Sequence, residues 1–475
     1  MNTDLYQLTM AAGYFAQGRH EAPAVFHLFF RKHPCGGAYA VLAGLADVVD
    51  FLREWHFSTE ELSYLASLQR RDGQAMFPPE FLNYLAGMEL SCDIDAPAEG
   101  STVFAFAPIL RVRGPLLQVQ LLETVLLNLI NFNTLVATKA ARICSIAGDD
   151  PVLEFGLRRA QGLNGGLSAS RSAYIGGCAG TSNVAAGLAY DIPVKGTHAH
   201  SWVMSFENET AAFEAYASTF PADSVLLVDT YDTLVGVKRA VTVARKLAEK
   251  GHQLLGIRLD SGDLARLSTA ARDILNEAGL PEVKIVASND LDEYAIRDLK
   301  AAGAAIDMWG VGTKLATAYD QPALGGVYKL AGLQLPGQPW RDTMKVSDQA
   351  VKTSIPGPQG VRRFFRDGRA VGDVIYHQAL GCAREGVARQ TLGGESLPTW
   401  ARVDEGVDLL QPLFRSGQFV GELPSIHQTR AFAAAQLQQF APEVLAIEQA
   451  VPYSVSLEQR LAATRARQSG ALRAS

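Results

Sequence analysis

From residue 225 to residue 313 the chain repeats one order of positions: a short apolar run, a polar tip, an amphipathic stretch and a glycine stop. Val225 to Val228 runs into Asp229-Thr230, and Val237, Ala240, Val241, Ala244, Leu247 and Ala248 then recur at helical spacing up to Gly251. Leu254 to Leu259 runs into Asp260-Ser261, followed by Leu264, Leu267, Ala271, Ile274 and Leu275 and closed by Gly279. Val283 to Ala287 runs into Ser288-Asn289, with Ala295, Ile296, Leu299 and Gly303 behind it. Ala305 to Trp309 then leads to Gly310-Val311-Gly312-Thr313. Unbroken apolar runs mark strands buried on both faces, and the amphipathic stretches mark helices. Together they predict a parallel sheet built from βα units of about 25 to 30 residues. Val152 to Phe155 and Ile192 to Val194 are further strand candidates. The pattern fits a closed α/β barrel, which we prefer, or an open doubly wound sheet. In both, polar residues at the C-terminal strand ends face the functional mouth.

The flanks read differently. Before about Pro115, short strands (Val25 to Phe30, Ser101 to Phe106) mix with helices; after Val327, short strands are broken by Pro and Gly up to Gln418. Such flanks combine into a sandwich-like domain around an inserted barrel. The expected division is 1–115 for the first part of the sandwich domain, 116–330 for the barrel, 331–430 for the rest of the sandwich and 431–475 for a C-terminal helical segment. The Arg- and Ala-rich tail after Leu457 predicts a terminal helix with a frayed end.

Composition narrows the function classes. With 475 residues, 48% hydrophobic and 19% charged, the chain is globular and long enough for two bodies. A net charge of −6 argues against a nucleic-acid binder driven by bulk electrostatics and leaves room for a small anionic substrate in a local basic pocket. The most apolar stretch, Leu116 to Ile130, is interrupted by Gln118, Gln120, Glu123 and Asn128, which predicts a buried helix and no membrane span. Acidic Asp4 stands where a secretory leader needs basic residues, and Cys35, Cys92, Cys144, Cys178 and Cys382 show no paired spacing. The expected compartment is cytoplasmic.

The strand tips collect Thr197, His198, His200, Asp229, Arg258, Asp260, Ser261, Asp263, Ser288, Asn289 and Thr313. Gly310 and Gly312 expose backbone N–H groups beside Thr313, a weak signal for a phosphate cradle. Phe155 with Arg158 and Arg159 stands just past a strand, where a ring stacks on a flat substrate and guanidinium groups clamp anions; a core Phe beside a surface Arg pair fits equally well. His200 alone is more often a structural hydrogen-bonder than a catalyst. Asp263, in the first turn of a helix, is better read as serving the dipole.

Several ordered strings carry a resemblance: TDLYQLTMA, FFRK with GGAYAVLAGL, LLETVLLNLINFNTLVATKAAR, EFGLRRAQG, GGLSASRSAYIGG with GTSNVAAG, GTHAHSWVMSF, LLVDTYDT, GIRLDSGDL, VASNDLDE and WGVGTKL with LGGVYKL. The chain resembles the nicotinate phosphoribosyltransferases, a type II phosphoribosyltransferase family, from about residue 3 to 330 and more weakly to about 465. The string RKHPCGGAY departs locally at His33 and Cys35. The resemblance implies an irregular TIM-like α/β barrel with an α/β sandwich domain formed from the N-terminal and post-barrel segments, and a homodimer. It implies transfer of phosphoribosyl from 5-phosphoribosyl 1-diphosphate to nicotinate, with ATP as co-substrate and Mg2+ as cofactor, in NAD biosynthesis.

By the same resemblance His200 matches the phosphorylated histidine. Thr197, Arg258 and Tyr6 match residues around nicotinate; Tyr6, far from the barrel in sequence, is expected to reach the partner's site. Phe155 matches the ring stacked on the pyridine, Arg158 a nearby anion contact and Thr313 a phosphoribosyl contact. Ser182 stands where relatives that select nicotinamide carry an aspartate, so it favours the acid over the amide. Asp260 is expected to hold ribose hydroxyls or a water-bound metal, and Asp229 to orient the second imidazole nitrogen. Ser288, Asn289, Gly310 and Gly312 complete the expected substrate contacts, while the metal's ligands stay unassigned. The alternatives are a nicotinamide phosphoribosyltransferase and a non-catalytic barrel that binds NAD precursors.

Overall fold

The computed structural model describes residues 2–347, 349, 352–383, 387–400, 403 and 405–474. Its contacts divide into two compact units, residues 136–322 with 426–430, and the remainder of the chain.

The unit of residues 136–322 is organised by six parallel strands: β1 (Val152–Glu154), β2 (Gly180–Thr181), β3 (Val225–Leu227), β4 (Gly256–Leu259), β5 (Lys284–Ser288) and β6 (Met308–Val311). They lie in the order β2-β1-β6-β5-β4-β3. The predicted helices follow their strands as Thr233–Glu249, Leu264–Glu277 and Glu293–Ala301. Each starts the same way. Asp232, Asp263 and Asp292 accept the backbone N–H of the residue three further on, at 2.9, 3.1 and 2.8 Å. Gly251 and Gly279, at φ of 80° and 75°, turn the chain left-handed after two of them.

A sheet of this order has two edges, β2 and β3, and the segment 193–198 spans them. On the β2 side Thr181 N donates to Pro193 O at 3.0 Å and Lys195 N to Thr181 O at 2.9 Å. On the β3 side the Leu227 N–H donates to His198 Nε2 at 3.2 Å. The predicted strand at Ile192–Val194 shrinks to one bridge, Val194 beside Thr181, because Pro193 has no N–H to continue a ladder. The barrel is irregular because its seam is closed partly by a side chain.

The same unit buries charge. Glu293 takes Arg142 Nε at 2.8 Å and Lys139 Nζ at 2.6 Å, all three side chains being fully buried, and Lys139 also pairs with Asp320.

In the other unit a seven-stranded sheet draws on both flanks of the barrel segment. Pro23–Phe30 pairs antiparallel with Leu110–Pro115 on one side and with Gly326–Leu333 on the other. A six-stranded sheet centres on Gln359–Arg366, Arg369–His377 and Val455–Glu458. Buried pairs Arg111–Asp95, 2.9 Å, and Arg363–Asp373, 2.8 Å, hold these strands. The predicted strand Ser101–Phe106 is shorter, Thr102–Val103, since the chain turns at Phe106 with φ 69°. The apolar stretch from Leu116 is helical but breaks at Leu122 into Leu116–Leu121 and Glu123–Ala147. The tail helix is Gln459–Ala474; Ser475 lies outside the described residues. Among the described residues no helix is long and apolar enough to cross a membrane, and no disulfide joins any of the five cysteines.

Candidate active site

Arg258 lies on β4, and its guanidinium connects neighbouring tips. Nη1 donates to Thr197 Oγ1 at 3.0 Å, and Nη2 lies 3.5 Å from Asp260 Oδ1. Asp260 also accepts the Ser288 hydroxyl from the end of β5. On its other side, Asp260 Oδ2 lies 3.8 Å from His200 Nε2. One carboxylate therefore links the imidazole and the guanidinium, and Thr197, His200, Arg258, Asp260 and Ser288 share a single mouth.

Two histidines stand two residues apart in GTHAHSW, and the fold separates their roles. His198 is buried, and its ring packs edge-on against Tyr216. Burial, with smaller contributions from Arg258 and His200, pushes its imidazole down to about 4, so it is neutral and serves as the acceptor at the seam. His200 starts the short helix His200–Met204, and its side chain is 39% exposed. Its Nδ1 meets Thr230 Oγ1 at 3.1 Å, which leaves Nε2 toward the carboxylates.

Asp229 differs from the expectation. It lies 4.0 Å from His200 Nε2, beyond a hydrogen bond, because Oδ2 is engaged by Asp260 N at 2.9 Å and Ser261 Oγ at 2.6 Å. Asp229 shapes the β4 tip, and Thr230 holds the imidazole. Asp229 Oδ1 and Arg258 Nε are both buried without a hydrogen-bond partner among the described residues.

The remaining candidates fall on neighbouring tips. Phe155 follows β1, and its N–H donates to Val311 O at 2.8 Å. A Cβ at Gly310 would stand 2.7 Å from the Phe155 ring, so this glycine leaves room for the ring. A Cβ at Gly312 would stand 3.3 Å from Phe155 O. Thr313 opens the short turn Thr313–Ala316. Beside it, Lys314 is held by Asp292 at 2.6 Å. That contact and a backbone hydrogen bond from Ala295 keep the Asp292 carboxyl below its ordinary value, although burial alone would raise it. Ser182 follows β2, half-buried, and Arg158 is exposed on the turn Leu157–Arg159. Asn289, after β5, has φ of 93° and Asp290 has 44°, backbone strain of the kind that gathers at functional sites. Tyr6 belongs to the other unit, on helix Leu5–Ala16, and is 51% exposed.

Sequence reasoning passed over Thr230, which sits inside a recognised tip, and Glu154, a carboxylate ending an otherwise apolar strand. No group of three or more His, Cys, Asp or Glu side chains able to hold a metal occurs among the described residues. Asp229 Oδ1 and Asp260 Oδ2 still fit Mg2+, which takes one or two protein carboxylates and fills its shell with water and substrate phosphate oxygens.

A parallel α/β barrel with a histidine, a guanidinium and carboxylates at its C-terminal strand ends belongs to the class of barrel enzymes that work at that face. Similarity makes the class specific. Residues 1–131 match the nicotinate phosphoribosyltransferase N-terminal domain, 151–353 the nicotinate phosphoribosyltransferase family and 359–465 its C-terminal domain. A nicotinate phosphoribosyltransferase of Bacillus subtilis is 47% identical over 378 residues, 79% of this chain and 75% of the relative. One of Mycobacterium tuberculosis is 40% identical over 467 residues, 98% of this chain and 93% of the relative. The crystal structure of human nicotinic acid phosphoribosyltransferase superposes with a TM-score of 0.86 at 34% identity, covering 98% of this chain and 100% of that one. The nicotinate-nucleotide pyrophosphorylase of Pyrococcus furiosus shares the fold, with a TM-score of 0.70 at 20% identity over 92% and 95% of the two chains. The chain belongs to the nicotinate phosphoribosyltransferase family.

Proposed function

We infer that this chain transfers phosphoribosyl from 5-phosphoribosyl 1-diphosphate to nicotinate in NAD salvage, coupled to ATP through His200. The observation that carries this reading is the meeting of His200 and Arg258 on Asp260. Nicotinate's ring nitrogen is already nucleophilic at neutral pH and needs no general base. Its lone pair forms the bond to ribose C1 as the C1–oxygen bond breaks and diphosphate leaves. Arg258 faces the nicotinate carboxylate, Phe155 stacks on the ring, and the uncharged Ser182 spares the acid a repulsion. Asp260, Ser288 and Asn289 hold ribose hydroxyls, while Thr313 and Arg158 contact phosphate.

In the coupled half-reaction His200 Nε2 forms a bond to the terminal phosphorus of ATP as the bond to ADP oxygen breaks. Thr230 holds the ring in place from Nδ1. Water later takes the phosphoryl group, releasing phosphate and freeing the imidazole. Two carboxylates near Nε2 would repel incoming phosphate; Asp260 and Asp229 would hold Mg2+, which would supply the neutralising charge. The protein acts as a homodimer in the cytoplasm, with Tyr6 completing the partner's site.

Replacing His200 by Ala abolishes nicotinate-stimulated ATP hydrolysis and leaves a slow, ATP-independent transfer, followed as ADP and nicotinate mononucleotide in parallel assays. Equal loss of both activities would contradict the phosphoryl-acceptor role. Assaying nicotinate against nicotinamide separates this reading from the amide-specific one.

A further inference from the structure

Glu154 ends β1 and is 1% exposed. Three donors converge on its carboxylate. Ser170 and Thr181 hydroxyls donate to Oε2 at 2.9 and 2.6 Å, and the Gly156 N–H donates to Oε1. These donors hold both sides of the Phe155 tip. Gly156 is the residue after Phe155, and it is tightly seated: a Cβ there would stand 2.3 Å from Ala316 Cβ and 2.8 Å from Gly312 O. Thr181 is the residue before Ser182, and its Oγ1 accepts the Asn183 N–H at 3.0 Å. Ser182 itself donates its N–H to the Glu154 main-chain carbonyl at 2.9 Å. Asn183 bonds Ser170 Oγ at 3.1 Å and caps the helix Val184–Tyr190.

We propose that Glu154 is a positioning residue for base recognition: one buried carboxylate sets the spacing between the turn that carries Phe155 and the tip that carries Ser182. A carboxylate suits this task because it accepts from several donors at once and offers none of its own. Charge-assisted hydrogen bonds are also shorter and stronger than neutral ones, so both walls are held against a rigid post. The proposal rests on the reading that Phe155 and Ser182 line the nicotinate pocket. Within it, Glu154 touches no substrate and acts only through the geometry of those two residues.

The test compares steady-state kinetics of the full-length protein with Glu154→Ala, Glu154→Gln, Thr181→Val and Phe155→Ala. Glu154→Ala is expected to raise the KM for nicotinate about tenfold, roughly the loss of one hydrogen bond to a charged group, with the KM for 5-phosphoribosyl 1-diphosphate unchanged. The nearly isosteric Glu154→Gln restores most of this, because its oxygen still accepts from Gly156 and the Ser170 hydroxyl can turn to Gly166 O, 3.0 Å away. Should Glu154→Ala fail to fold, Thr181→Val carries the test, since it deletes one donor and keeps the shape. It is expected to lower the preference for nicotinate over nicotinamide with kcat nearly unchanged. An unchanged nicotinate KM in Glu154→Ala, a parallel rise for both substrates, or no shift of preference in Thr181→Val overturns the proposal. Phe155→Ala separates the two layers: if it too leaves the nicotinate KM unchanged, the pocket reading itself has failed.

Discussion

His198 and His200 carry the same side chain two positions apart, and their surroundings give them opposite chemistry. His198 is sealed against Tyr216 with Nε2 taken by the Leu227 N–H, whereas His200 opens to the carboxylates. No feature of the sequence alone distinguishes them; the family resemblance singled out His200, and burial gives the physical reason. A pH dependence follows. The unfolded chain takes up a proton on His198 below about pH 6.5, and the folded one only near 4. Stability from this site is therefore complete above about 6.5 and lost as pH falls toward 4. His198→Asn is expected to flatten that part of the melting-temperature profile measured from about pH 7 to 4.5; an unaltered slope would assign the acid sensitivity elsewhere. The site's tips were largely legible because strand-end polar residues follow apolar runs. Thr230 was not, since a hydroxyl beside an aspartate reads as a helix cap until the imidazole above it is seen.

Long amphipathic stretches with an Asp start and a glycine stop identified three helices, because local spacing and capping agree there. The strand β2, only Gly180–Thr181, has no apolar run to announce it, and its neighbour at Val194 is cut short by Pro193. The seam of the barrel was thus invisible in the sequence, although the barrel's repeat was plain. So was the buried cluster joining the helices Glu123–Ala147 and Glu293–Ala301, since Lys139 and Arg142 read as surface charge until Glu293 is placed between them. Removing Glu293 takes the shared carboxylate away from two buried cations, Arg142 and Lys139. Glu293→Ala is expected to lose about 3 to 5 kcal/mol of stability, read as a large drop in the urea midpoint, with Glu293→Gln less affected. A midpoint within error of the unmodified protein would show that the cluster contributes nothing net.

At the scale of the chain, residues before 116 and after 322 build common sheets, which the broken, Pro- and Gly-rich flanks foreshadowed without giving the pairing. Register between Pro23–Phe30 and Gly326–Leu333 is a tertiary property that no local pattern encodes. The dimeric reading makes its own demand. Tyr6→Ala and His200→Ala proteins, each deficient in ATP-coupled transfer alone, are expected to recover about a quarter of the full ATP-coupled activity when unfolded and refolded together, because mixed two-fold dimers contain one intact site. No recovery in a verified mixed dimer would place Tyr6 outside the partner's site.

The central claim is that the imidazole at position 200 receives a phosphoryl group where the guanidinium of Arg258 holds the base. The most direct measurement is acid-labile, base-stable labelling of the protein from γ-labelled ATP, located by peptide mapping. The account predicts one phosphoryl group on the peptide containing GTHAHSW, absent in His200→Ala and discharged when nicotinate and 5-phosphoribosyl 1-diphosphate are added. Label that persists in His200→Ala, or no label under conditions where the protein hydrolyses ATP, would contradict it.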